Sequence, residues 1–201
     1  MAITNGYATL AELKTALNIT DNVDDSRLEL AIETASREID NFTGRYFYNS
    51  GTATRYFAAD DYVNTAIDDL ITITSLETAS NLDKTFDVTW TAADYQLEPL
   101  NGVVGGLTGW PYTRIRAVNV LLFPKYQDRG LVKIVGTWGW TAVPTAIKTA
   151  TLLQAARIFK RADAPFGAAG YGDVGIIRVS ASIDPDVRQA IAPYRVMRAI
   201  G

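Results

Sequence analysis

The apolar residues of this chain change their period twice, and that change limits the folds open to it. Leu28, Ile32, Ala35, Ile39 and Phe42 recur at steps of four, three, four and three, the spacing of one helix face. Arg27, Glu29, Glu33, Arg37, Glu38 and Asp40 take the outer side. A shorter helix comes first, where Thr9 and Glu12 spell a capping box and Leu10, Leu13 and Leu17 follow at helical spacing. Gly44 stands where a helix can end in a left-handed residue. From Tyr46 to about Trp140 the helical period is gone. Thr52 to Phe57, Ile71 to Leu76, Phe86 to Trp90, Arg114 to Val118 and Leu131 to Trp138 are β-branched or aromatic runs that read as strands. No helix-length segment separates them, so the unit is antiparallel rather than βαβ. Pro144 and Thr145 restore the helical period to about Ala164, with Ile147, Leu152, Ala155, Ala156 and Phe159 as its stripe. Lys160 and Arg161 sit at the end where the helix dipole favours cations. A glycine-rich stretch, Pro165 to Gly175, and a short strand, Ile176 to Ala181, precede Asp184-Pro185. That pair opens a last helix with Val187, Ile191 and Tyr194 on its buried face and a kink at Pro193. The expected fold class is α+β.

Two absences narrow the chemistry. The 201 residues contain no histidine and no cysteine, so a Ser-His-Asp triad, a Cys-His pair, a disulfide and a zinc site of the usual ligands are excluded. The first charge is Glu12, which predicts no basic secretory leader, and the longest uncharged stretch, Pro99 to Thr113, carries too many glycines and prolines to span a membrane. Asn18-Ile19-Thr20 and Asn41-Phe42-Thr43 then read as chance sequons. The net charge of −3 hides a split: residues 1–100 hold 6 basic and 17 acidic side chains, residues 101–201 hold 13 and 5. Such a split suggests either solvated faces or a dipolar subunit that meets its neighbour head to tail.

The candidate constellations are weak. Asp60-Asp61 and Asp68-Asp69 offer carboxylates for a magnesium ion or a glycosidase pair, but neighbours on a strand point to opposite faces. Asp21 to Ser26 imitates a calcium loop, with Val23 at a ligand position and Ser26 where glycine is needed, so helix capping is the better account. Gly167, Gly170, Gly172 and Gly175 follow a helix and precede a strand, the reverse of a phosphate cradle, and read as a mobile loop. Trp138 and Trp140 share a strand face and are expected in the core. No catalytic, cofactor or metal residue is assigned.

The two ends of the chain resemble the head–tail connector (adaptor) proteins of tailed bacteriophages. Leu10-Ala11-Glu12-Leu13-Lys14, Asp24-Asp25-Ser26-Arg27-Leu28 and Thr43-Gly44-Arg45 are similar to the opening helices of that family. Val143-Pro144-Thr145-Ala146-Ile147, Phe159-Lys160-Arg161, Pro165-Phe166-Gly167, Asp184-Pro185-Asp186-Val187 and Pro193-Tyr194-Arg195 continue the likeness in order. The resemblance covers 1–48 and 131–201 and implies a helical connector core there, a small bundle of N- and C-terminal helices. Residues 49–130 form a central antiparallel β insertion longer than compact members carry. It implies a structural virion protein, not an enzyme, with no cofactor. Its expected partners are a portal protein, other copies in a twelve-fold ring, a tail or tail-completion protein and the genomic DNA passing through the channel. The expected location is the head–tail interface of the virion, after assembly in the host cytoplasm, with no membrane partner. Phe166, Tyr171, Val174, Arg178 and Arg195 are the expected partner-interface residues. Two other classes are a β-rich carbohydrate-binding or adhesion module, and a metal hydrolase that needs Asp60, Asp61, Asp68 or Asp94 to converge.

Overall fold

The computed structural model describes residues 3–81, 84–126, 129–162, 168–170, 176–178 and 183–196. Its elements run α1 (Leu10–Leu17), α2 (Asp25–Thr43), β1 (Asn49–Phe57), β2 (Asn64–Thr78), β3 (Val88–Trp90) and β4 (Tyr95–Glu98). They continue with β5 (Tyr112–Ala117), β6 (Val132–Gly139), α3 (Thr145–Ala162), β7 (Ala168–Gly170), β8 (Ile176–Arg178) and α4 (Pro185–Ile191). The chain forms two compact units, residues 1–47 with 143–201, and residues 48–142.

In the first unit, local signals start and stop the helices. Thr9 accepts a hydrogen bond from the Glu12 amide while the Glu12 carboxylate accepts from the Thr9 amide, the expected capping box. Gly44 adopts φ +70° and its N–H reaches the Asp40 carbonyl at 2.7 Å, which closes α2. Asp184 caps α4 by accepting from the Asp186 amide, with Pro185 at the first helical position. At Pro193 the chain is no longer α-helical: α4 stops at Ile191 and a 3-10 turn covers Ala192–Tyr194. Leu13, Leu28, Ile32, Ala35 and Ala155 are buried together where α1, α2 and α3 pack. Each large aliphatic side chain in such a core contributes about 1.5–3 kcal/mol.

The second unit corrects the expected architecture. Six antiparallel strands form one sheet in the order β1-β6-β2-β5-β4, with β3 also paired to β2. The fold is thus a mixed α and β fold with, among the described residues, four helices and a large six-stranded sheet, not a small helical bundle carrying a β insertion. The run Leu131 to Trp138, expected with the helical core, is β6: it lies between β1 and β2 and buries Val132, Ile134 and Trp138 among Leu70, Leu76, Ile115 and Phe123. An antiparallel strand can pair with segments far away in sequence, so proximity to α3 says nothing about its partners. Trp90 stacks on Phe123 at 4.5 Å and donates its indole N–H to Thr78 Oγ1 at 2.9 Å. Gly136 belongs in β6 because an added Cβ would meet the Thr72 carbonyl oxygen at 2.5 Å.

Candidate functional site

Each aspartate of the doublets is engaged by its own partner. Asp61 accepts from the Val63 amide at 2.6 Å and the Asn64 amide at 2.7 Å, while Asn64 Nδ2 reaches its second oxygen at 3.0 Å. These bonds, the Asn64 side chain first, hold its carboxyl below the usual range. Asp60 accepts from the Ala66 amide, Asp68 pairs with Arg55 at 2.8 Å, and Asp69 accepts the Trp140 indole N–H at 2.9 Å. Asp94 accepts from the Thr91 amide and hydroxyl, which lowers its pKa in the same way. The carboxylates therefore serve turns and cross-strand ties. Among the described residues, no group of three or more His, Cys, Asp or Glu could hold a metal ion. The calcium-loop look-alike is spent on helix packing, since Lys14 Nζ holds Asn22 at 2.8 Å and Asp25 at 2.7 Å. Trp90, Trp138 and Trp140 are buried, so none offers the open ring face that a sugar would stack on.

Among the described residues, a second polar cluster joins groups far apart in the sequence. Tyr7 donates its hydroxyl to the buried carboxylate of Asp40, and the same hydroxyl accepts from the Phe47 amide at 2.9 Å. Arg37 Nε lies 3.0 Å from the other Asp40 oxygen, and Arg37 also holds the Asn5 carbonyl at 3.0 Å. The Tyr7 amide donates to Ser36 Oγ at 3.1 Å. Phe47 presents its ring edge-on to Tyr7 at 5.6 Å and to Tyr194 at 5.7 Å. Arg45 Nε donates to the Tyr194 carbonyl at 2.7 Å, and the Val196 amide donates to the Thr43 carbonyl at 2.8 Å. One knot thus ties the N-terminal segment, the end of α2 and the segment after α4. Burial pushes the Asp40 carboxyl up to about 6 against the pull of Tyr7 and Arg37, and burial together with Asp40 raises Tyr7 above its usual value. The i, i+3 spacing of Arg37 and Asp40 was visible as a polar face; that Tyr7 would turn part of it inward was not.

Of the expected interface residues, Phe166, Tyr171 and Val174 lie outside the described residues, as does most of the stretch read as a mobile loop. Its described part, Ala168–Gly170, pairs antiparallel with Ile176–Arg178, so Arg178 stands on a strand. Arg195 is exposed after the 3-10 turn, and its guanidinium lies 5.6 Å over the Phe42 ring. Arg188 lies over the same ring at 5.2 Å. In the sheet unit, two exposed apolar groups were not foreseen, one around Leu107 and one around Val120.

Residues 7–85 match the family model of the phage gp6-like head-tail connector protein. Over that stretch, about two fifths of its length, the chain is similar to the phage head–tail connectors. The matched stretch runs from Tyr7 through α1, α2, β1 and β2, so it takes in both the Tyr7–Asp40 knot and the first two strands of the sheet. No curated protein matches the chain. Among solved structures, its fold is similar to a chain of the neck of an empty gene transfer agent (GTA) particle computed with C6 symmetry. That likeness has 20% identity and a TM-score of 0.56, covering 100% of this chain and 95% of that one. A chain of the native GTA neck computed with C12 symmetry is similar at 21% identity and TM-score 0.51, with the same coverage. One in the virion of the native GTA particle is similar at 20% identity and TM-score 0.55, again over 100% and 95%. These three likenesses are of fold. They cover the whole chain, beyond the stretch that the family model matches.

Proposed function

We propose that this protein is a structural subunit of a virion neck, a head–tail connector that assembles as a ring of copies and carries no catalytic chemistry. The match of residues 7–85 to the connector family carries the reading. The fold likeness to GTA neck chains over the whole chain supports it, because those particles are described with six- and twelve-fold symmetry. The ring docks beneath a portal, extends the DNA channel and offers its far side to a tail or tail-completion protein. The segment with Phe166, Tyr171, Val174, Arg178 and Arg195 contributes partner contacts. Asp60, Asp61, Asp68, Asp69 and Asp94 fit this reading, since each is bound to a protein partner. Electron microscopy of the purified chain, alone and mixed with its portal, tests the proposal. Annular particles coaxial with the portal are the expected result; a chain that neither forms rings nor binds the portal overturns it.

A further inference from the structure

The sheet unit carries two exposed apolar groups, one at each end of β5. Before β5, the uncharged stretch from Pro99 folds into a hairpin whose tip is Gly105-Gly106, with φ +57° and +81° and paired hydrogen bonds of 3.0 Å between Val104 and Leu107. The Trp110 amide donates to the Gly102 carbonyl at 3.0 Å, so the hairpin is built rather than slack. It exposes Leu100, Val103, Val104 and Leu107, the last at 60%. After β5, the connection to β6 exposes Val118, Val120, Leu122 and Tyr126, with Val120 at 83%. Tyr62, 61% exposed, joins that group because its carbonyl accepts from the Phe123 amide at 2.9 Å. Six strand residues separate the two groups by about 20 Å.

Soluble monomers rarely leave apolar clusters of this kind uncovered. We infer that the hairpin of one copy docks on the Tyr62–Val118–Val120 rim of the next copy, a head-to-tail contact made by the two ends of the sheet. The inference rests on the ring reading. A two-fold dimer would use one patch against itself, whereas two different patches at opposite ends of β5 propagate from copy to copy, and close into a ring where the rotation between copies closes. The area is adequate. Nine partly exposed apolar side chains at about 100 Å² each bury on the order of 900 Å². An interface of about 1,600 Å² is about 55–65% apolar and needs that amount.

The test uses the full chain and two variants, Leu107→Glu in the hairpin and Val120→Glu on the rim, with circular dichroism as the check on folding. Both side chains are exposed, so both variants are expected to fold; should one not, Leu100→Glu or Leu122→Glu replaces it. Sedimentation and electron microscopy are expected to show wild-type assembly and monomeric variants. Mixing the variants restores one good contact per pair and should give a 1:1 heterodimer that grows no further. Rings that persist in both variants overturn the contact while leaving the connector reading intact. A heterodimer that fails to form, or a wild type that stays monomeric to about 100 μM, overturns it as well. Wild-type binding to phosphatidylcholine vesicles that both variants lose would assign the patches to a membrane and also overturn it.

Discussion

At the scale of single residues, two carboxylates titrate in opposite directions and for opposite reasons. Asp40 is buried, and its pKa of about 6 in the fold exceeds the ordinary 3.8. A raised carboxylate binds its proton more tightly in the folded chain, so its contribution is fully present below about 4 and fades as pH rises through 6. Two pKa units correspond to at most about 3 kcal/mol. Asp40→Asn keeps an acceptor for Tyr7 and removes the titration. The stability of wild type relative to that variant is expected to fall between pH 4 and about 7, read by urea denaturation at each pH; a pH-independent difference would refute the assignment. Glu12 goes the other way, to about 2, because Lys148 Nζ donates at 2.9 Å and the Thr9 amide at 2.9 Å. Its stabilisation is present above about 4.5 and lost as pH falls through 2. Lys148→Met is expected to move the Glu12 titration back toward 4.5 in carboxyl NMR, and a titration still near 2 would show that the capping box alone sets it. The Thr9–Glu12 box could be read from sequence because it spans three residues. The Asp40 knot could not, since Tyr7 lies 33 residues away and nothing local marks it.

At the scale of elements, the same distinction between local and distant information decides what the sequence reveals. α1 and α4 are marked by N-caps, α2 by its closing Gly44, and α1, α2 and α3 by 3.6-residue periodicity, all written within a few turns. β2 runs over fifteen residues, Asn64–Thr78, yet only Ile71 to Leu76 read as a strand. Register shifts near Ala66, Leu70 and Ile73 break the alternation that would have marked the rest. β4 alternates, with Tyr95 and Leu97 against the core, but its four residues are too short a run to stand out in the sequence. The place of β6 depends entirely on remote partners, with Ile134 facing Arg55 on one side and Leu76 on the other. Hydrogen exchange should follow that order. Amides of β6, bonded on both sides, are expected to exchange slowest in the sheet, and those of Asn49–Phe57 that face away from β6 at the edge fastest. Fast exchange throughout Val132–Trp138 would contradict the sheet order. Gly136→Ala tests the same strand by packing. Its Cβ would press on the Thr72 carbonyl and Leu70, and a loss of about 1–3 kcal/mol or more is expected in thermal unfolding.

At the scale of the whole molecule, the charge split along the sequence does not become a split in space. The unit of residues 1–47 and 143–201 holds 12 basic and 12 acidic side chains, and the unit of residues 48–142 holds 7 and 10. Acidic residues from the first half are paired within the subunit by basic residues from the second, as Lys148–Glu12 and Lys133–Glu77 show. An acidic side meeting a basic side between copies therefore loses its basis, and association must draw on something else. Apolar contact is the available source, and its salt response differs in sign from that of an ion-paired interface. Exposed charges are screened within about 10 Å at 0.1 M salt and about 3 Å at 1 M, so a charge-carried association weakens steeply across that range. An apolar one holds, and excluded salts such as sulfate strengthen it. Sedimentation velocity in about 0.1 M and about 1 M sodium chloride, then in sodium sulfate, separates the two. The expected outcome is association that changes by no more than a few-fold in chloride and rises in sulfate. A tenfold fall in chloride would mean that the surface charges find each other between subunits after all, and that the pairs seen within each copy leave enough of both signs free to do so.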